Sequence, residues 1–294
     1  MARAEFSVRG QRSGCGAGVL ARVLLQLPIP PICFLRATSF TIGLSFVFQF
    51  PDSMIDIHCH ILPDVDDGAR SWDIAIQMCA MAADDGIEHI VATPHANSEY
   101  VYDRAYLQSV LDELQRRIGT RVALSLGCDF HFSYENIQEA LRNPHRFTIA
   151  DTNYLLVEFS NFSIPPTTGE NLSALVHEGL TPILTHPERN PLLQQTPQTV
   201  LDWVSLGCLA QVTGSALTGR WGRRARAVAE WLLENNAVHV LATDAHGTED
   251  RTPVLSSGRD AAAEIVGVEK AAALVDDNPR AIVGGLGLPG FSDF

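Results

Sequence analysis

Cysteine is scarce in this chain. Six cysteines are spread over 294 residues, and none of Cys15, Cys33, Cys59, Cys79, Cys128 and Cys208 belongs to a CxxC pair. That argues against a zinc ribbon, and so sparse a set cannot staple a chain of this length into a disulfide scaffold. Buried free thiols in a reducing compartment are expected instead. There is no CxxxxxR loop either, so a cysteine nucleophile would have no cradle for phosphate. Basic charge is also short: 21 Lys and Arg face 34 Asp and Glu, for a formal net charge of −13. Nucleic acid needs a basic footprint and is not the expected partner. Phosphorylated groups stay in play, because bound cations can invert a local potential. Long apolar runs are missing as well. The stretch 18–51 is broken by Pro28, Pro30 and Pro31, and neither half reaches the ~18–20 residues of a membrane span.

The first 53 residues differ from the rest. They hold five arginines (Arg3, Arg9, Arg12, Arg22, Arg36) against Glu5 and Asp52, which leaves a net charge of −16 on 54–294. We expect residues 1–53 to be an extension outside the fold. It is either upstream sequence read through from an early start codon, with Met54 the working start, or a leader or membrane-surface anchor. Residues 54–294 are expected to form a single cytoplasmic domain without stable membrane insertion.

From Met54 onward β-rich runs alternate with helical stretches. Strands are predicted at 54–59, 89–94, 122–127, 153–159, 181–186, 208–213 and 238–244. Helices are predicted at 71–86, 103–118, 168–179, 197–207, 222–236 and 257–267, with a final pair near 269–285. Seven strands alternating with helices predict parallel βα units, in a barrel or an open sheet. The polar residues choose between them. His58, His60, His95, Asp129, His186, Asp244 and His246 stand at or just past the C-terminal ends of at least five strands. A barrel brings all such ends to one face, whereas an open sheet gathers them mainly at its switch point. An α/β barrel is therefore expected.

These residues point to metal chemistry. His58 and His60 are two apart on a strand, so both rings face the same way. Asp64, Asp66 and Asp67 follow in a loop, and TPH, GCD, THPER and TDAH add His95, Asp129, His186, Asp244 and His246. Each buried polar group without a partner costs about 1–3 kcal/mol, so a core does not collect this many unless something neutralises them. Mixed imidazole and carboxylate ligands suit Zn, Mn or Fe without choosing among them. His131, two residues after Asp129, could turn the same way. His89, His145, His177 and His239 read as surface or hydrogen-bonded core.

The series MIDIHCHILPDVDDG, TPH, GCD, THPER and TDAH closely resembles the PHP (polymerase and histidinol phosphatase) family, within it the capsule-type bacterial protein tyrosine phosphatases of the CpsB/CapC/YwqE group. The resemblance runs from Met54 to about Gly287. It implies a distorted seven-stranded βα barrel and three divalent ions, manganese above all, with iron or zinc as alternatives. By position, His58, His60, Asp129 and Asp244 would hold one ion. Asp129, His95 and His186 would hold a second. Asp67 and His246, with help from His95 or its neighbours, would hold the third. Arg189 and Arg251 match arginines that contact phosphate. The family usually has Glu where this chain has Asp129, one methylene shorter, and the first 53 residues have no counterpart.

The implied activity is phosphotyrosine hydrolysis by a metal-activated hydroxide. The implied partner is a phosphotyrosine protein such as a bacterial tyrosine kinase, and the implied setting is capsule or exopolysaccharide synthesis. Tyr100, Tyr102, Phe159 and Phe162 could stack on the substrate ring. The rival readings are a PHP small-molecule phosphatase, such as one acting on histidinol phosphate, and a non-catalytic regulator of a tyrosine kinase.

Overall fold

Every residue of MIDIHC is buried, and Met54–Cys59 forms β1. A parallel strand covered on both faces reads as a near-continuous apolar run. Asp56 and His58 interrupt this one, so the strand carries more than core. The computed structural model describes residues 53–289. The extension expected over 1–53 therefore lies, but for Ser53, outside the described residues, and Cys15 and Cys33 lie there with it.

After β1 come α1 (Trp72–Asp84), β2 (Ile87–Ala92), β3 (His95–Ala96), α2 (Arg104–Ile118), β4 (Ala123–Leu126), β5 (Asp129–His131) and α3 (Tyr134–Arg142). The chain continues through β6 (Tyr154–Glu158), α4 (Thr168–His177), β7 (Thr181–Thr185), α5 (Gln198–Val204), β8 (Leu209–Thr213), α6 (Gly214–Leu217) and α7 (Gly222–Glu234). It ends with β9 (Val240–Ala242), α8 (Ser256–Val266), α9 (Val268–Ala273) and α10 (Asp277–Val283). Local chemistry sets several helix starts. Ser71, Asp103 and Ser133 are extended, and their side chains accept from Ile74 N, Tyr106 N and Asn136 N. Each satisfies an amide that the first turn leaves over, worth ~1 kcal/mol. No helix among the described residues is long and apolar enough to cross a membrane.

All strand pairs are parallel. They form a sheet of order β1-β2-β4 and another of order β3-β5-β6-β7-β8-β9. Each of the seven runs read from the sequence contains a strand, but β3 and β5 are additional. The pairing thus gives nine strands in two sheets among the described residues, where one seven-stranded barrel was expected. The chain breaks at Pro94, which has no amide hydrogen for the ladder, and again at Gly127–Cys128. Backbone hydrogen bonds bridge the seams: Thr93 N to Cys59 O at 3.0 Å, Gly127 N to Ala92 O at 2.8 Å and Asp129 N to Pro94 O at 3.1 Å. Past β9, Asp244 N donates to His58 O and His60 N to Ala245 O, both at 2.8 Å.

Side-chain alternation divides the core. Ile55, Ile57, Val91, Leu156, Ile183, Leu209 and Val240 form one apolar cluster. Leu155, Val157, Leu184, Ala210 and Leu241, from the opposite strand faces, join a second with Met78, Leu114, Leu172 and Leu232 of the helices. Asp56 ties β1 to the chain just before Asp244. Its carboxylate accepts from Thr243 N at 3.0 Å, from Thr243 Oγ1 and from His58 N at 3.3 Å.

Candidate metal centre

His58 in β1 and His60, just past its end, face the same side, with their Nε2 atoms 3.3 Å apart. Asp129, the first residue of β5, faces them. Its Oδ2 lies 3.5 Å from His58 Nε2, 4.0 Å from His60 Nε2 and 3.3 Å from His95 Nδ1. Asp244 Oδ1 is 3.4 Å from the Nε2 atoms of both His58 and His60. Asp67 Oδ1 is 3.4 Å from His95 Nε2 and from His246 Nε2. The His186 ring centroid is 5.6 Å from that of His58. All eight residues singled out in the sequence as ligands therefore meet at one place. His186 and Asp244 both have left-handed backbone, at φ +34° and +51°. Non-glycine residues are uncommon there, though Asp and His visit it more than most, and such strain gathers at functional sites.

Three groups within this cluster have donor atoms close enough to share an ion: His60, Asp67, His95 and His246; His58, His60 and Asp129; and His95, Asp129 and Glu158. Glu158 was not foreseen. It is the last residue of β6, and its Oε2 lies 3.7 Å from both His95 Nδ1 and His131 Nδ1. Its Oε1 lies 3.8 Å from His186 Nε2. The one signal in the sequence was an acid closing the apolar run YLLV.

Two supports stand behind the rings: Asp66, which its loop offered without a role, and Gln211, which was missed. Asp66 Oδ2 is 2.7 Å from His60 Nδ1, and the same carboxylate accepts from Gly68 N and His95 N. Gln211 Oε1, on β8, is 2.9 Å from His58 Nδ1. Both partners accept, so each Nδ1 carries a proton and each ring turns its Nε2 toward Asp129 and Asp244. A lone pair facing a buried carboxylate is repulsive unless a proton or a metal cation lies between them.

The electrostatics agree. Burial opposes charge on His95, yet Asp129, Asp67 and Glu158 outweigh it and hold the ring up at about 11. His60 is likewise held at about 9, burial being overcome by Asp66 and Asp244. By contrast, burial and then Arg189 push His186 well down, and burial and then His60 push His246 down to about 4, so both stay in the neutral form that ligates metal. Asp129 is fully buried, and neither carboxylate oxygen accepts a hydrogen bond. Leaving a buried charge so costs more than the ~1–3 kcal/mol of a neutral group. His95 Nδ1 and His246 Nε2 also lack hydrogen-bond partners. These donors fit divalent ions of the Mn, Fe and Zn type.

Two arginines singled out in the sequence border the cluster. Arg189 and Arg251 both pair with Asp244 Oδ2, and Arg251 Nε donates to the Asp244 carbonyl at 3.1 Å. The Arg189 guanidinium lies 3.7 Å above the Trp221 ring, and that of Arg251 lies 5.6 Å from it. Trp221 Nε1 donates to Ser215 Oγ at 3.0 Å, which fixes the indole. Beside the arginines opens a cleft of about 410 Å³ lined by Asp67, Arg70, His246, Thr248, Asp250 and Arg251. Cys59 and Cys128 are buried, and burial pushes their thiols well up, so neither is a nucleophile.

Residues 54–284 match the family model described as capsular polysaccharide synthesis, CpsB/CapC. The chain belongs to the CpsB/CapC family. It is 34% identical over 202 residues to tyrosine-protein phosphatase YwqE of Bacillus subtilis, covering 67% of this chain and 79% of that protein. It is 29% identical over 241 residues to tyrosine-protein phosphatase CpsB of Streptococcus pneumoniae, covering 78% and 98%. Work on YwqE and CpsB that describes them as unique metal-dependent tyrosine phosphatases supplies a crystal structure that superposes with a TM-score of 0.75 at 29% identity. The match covers 80% of this chain and 96% of that one.

Within this CpsB/CapC site the four aromatic candidates divide. Tyr102 is buried with its hydroxyl on Gly127 O, and Phe159 packs on Phe132 and Trp203, so both are core. The Tyr100 ring stacks 6.0 Å from that of His95, and Phe162 is 94% exposed. His89, His145, His177 and His239 bond to Ser125, Thr152, Ser173 and Ala210, outside the cluster.

Proposed function

We propose that this CpsB/CapC chain is a metal-dependent protein tyrosine phosphatase. The observation that carries the reading is Asp129: a buried carboxylate without hydrogen bonds, ringed by His58, His60 and His95. In this reading three ions, manganese foremost with iron or zinc as alternatives, would be held by these residues. His58, His60, Asp129 and Asp244 would hold one. His95, Asp129 and Glu158, with His186, would hold the second, and Asp67, His246 and His95, with His60 alongside, would hold the third. Such ions would lower the pKa of water toward ~7 and offset the charge of a phosphoryl group.

The chain's own residues do the rest. Arg189 and Arg251 donate to the phosphoryl oxygens, and planar guanidinium suits that geometry. Asp66 and Gln211 keep His60 and His58 in the tautomer that presents Nε2. The Tyr leaving group has a conjugate acid pKa of about 10 and departs without strong proton donation. Among the described residues no reactive thiol is present, and with water as the nucleophile no covalent intermediate is required.

We read the nine strands as seven staves of a distorted PHP-type barrel, two of them broken, supported by the hydrogen bonds that cross the seams. Residues 54–294 are read as one cytoplasmic domain. The substrate is a phosphotyrosine protein, such as a tyrosine kinase acting in capsule or exopolysaccharide synthesis. The test is turnover by the manganese-loaded chain of a phosphotyrosine peptide against histidinol phosphate. Higher kcat/KM on the peptide supports the assignment; preference for histidinol phosphate transfers it to small-molecule chemistry.

A further inference from the structure

The arginines are unevenly spread. Residues 220–226 read RWGRRAR, four arginines in seven positions of a chain whose net charge is −13. Arg226 is neutralised by Glu230 at 2.7 Å along α7. Arg220 Nη2 stands 3.5 Å from Asp250, whose side chain is 95% exposed. Arg223 and Arg224 are exposed, and among the described residues neither pairs with a carboxylate. Both fall in the first turn of α7, where the helix dipole is already positive. Nothing in their own helix favours arginine there.

Their position is specific. Trp221, the floor of Arg189 and Arg251, lies within the run. Arg220 leans on Asp250, the neighbour of Arg251. Arg224 Nη2 lies 3.4 Å from the carbonyl of Gln194, and Gln194 Nε2 donates to the carbonyl of Glu188 at 2.8 Å, next to Arg189. The run therefore spans the two loops that supply the phosphate-facing arginines.

We infer that Arg223 and Arg224, with Arg220, form a docking surface for acidic side chains flanking the phosphotyrosine of a protein substrate. This rests on the phosphotyrosine reading above. Charge complementarity selects the occupant: among the described residues the Arg223 and Arg224 guanidinium groups have no carboxylate partner, Arg220 has only the exposed Asp250, and the run borders a site that receives an anion. Arginine pairs carboxylates through two parallel hydrogen bonds, and partly exposed cations also steer an acidic segment toward the site.

The experiment compares kcat/KM of the full, metal-loaded chain on two phosphotyrosine peptides. They share one sequence, with flanking Asp and Glu in the first replaced by Asn and Gln in the second. The wild type is expected to favour the acidic peptide about three- to tenfold at low salt, and less as salt rises. The ratio falls to near one in the Arg223→Gln/Arg224→Gln double variant and stays at the wild-type value in Arg116→Gln, a change on distant α2. Because the ratio is taken within each protein, a partly unfolded fraction cancels; if the double variant does not fold, each single variant should lose part of the preference. A wild-type ratio near one overturns the proposal, as does a ratio that survives the double substitution. So does loss, in the double variant, of binding to phosphatidylglycerol vesicles without any peptide preference in the wild type, which would reassign the patch to membranes. Failure to hydrolyse either peptide or free phosphotyrosine overturns the phosphatase reading itself and is distinguishable from these results.

Discussion

Arg189 sits over Trp221, with its guanidinium carbon 3.7 Å from the indole centroid. The same ring reaches Arg251, and its own N–H is tied to Ser215. A cation over a Trp face gains about 0.5–2 kcal/mol, so the indole holds a pair of positive side chains against their mutual repulsion. Trp221→Ala should lower kcat/KM on phosphotyrosine about 3- to 30-fold, mostly through KM, with metal content unchanged. Trp221→Phe, which keeps a ring face, should recover part of the loss. Equal defects in both variants would mean that the ring only fills space.

Asp129 sits among four potential ligands, and its shortness is open to test. Asp129→Asn keeps the shape but removes the charge. It should reduce bound metal and lower kcat by more than the ~10–100-fold typical of losing a partner behind a ligand. Asp129→Glu keeps the charge, adds one methylene and should keep metal and activity. Metal analysis alongside phosphotyrosine hydrolysis reads both.

Asp66 is 2.7 Å from His60 Nδ1 and was not among the ligands read from the sequence. Asp66→Asn should weaken metal affinity about 10–100-fold while leaving kcat close to wild type at saturating metal. A fall in kcat that excess metal does not restore would place Asp66 in the chemistry rather than behind it.

The sequence was most legible where chemistry is local. The HxH pair, TPH and TDAH put rings and carboxylates at strand ends, and the eight residues singled out there come together in the fold. Ser71 and Asp103 also cap the helices that their positions suggest. The broken strands were less legible, because an apolar run does not reveal where Pro94 and Gly127 divide the pairing into two sheets. Glu158 and Gln211 escaped for another reason. Each belongs to an apolar strand, and partners distant in sequence, such as His186 28 residues and His58 153 residues away, give it a role. Trp221 and the arginines around it read as an ordinary amphipathic helix start, since nothing in RWGRRAR names Asp244 as the place where Arg189 and Arg251 converge.

His239 gives a stability test far from the metal site. Burial, with Lys270 adding to it, holds its ring down at about 4, and Nδ1 accepts from Ala210 N at 3.1 Å. The ordinary value is 6.5, so between those two pH values the unfolded chain binds a proton that the folded chain refuses. The folded state therefore loses stability as pH falls from about 6.5 toward 4, by up to roughly 3 kcal/mol. Urea unfolding at pH 7.5 and pH 5 should show a smaller acid loss in His239→Asn, whose side-chain oxygen can accept the same amide, than in the wild type. Parallel losses in the two proteins would contradict the assignment.

The claim at the centre is that cations bind between these side chains. Crystals grown with manganese and measured at a wavelength where manganese scatters anomalously test it directly. The account expects anomalous peaks among His58, His60, His95, Asp129 and Glu158, and beside Asp67 and His246. A fully ordered site with no peak at any of these positions, in crystals of protein active on phosphotyrosine, would contradict it.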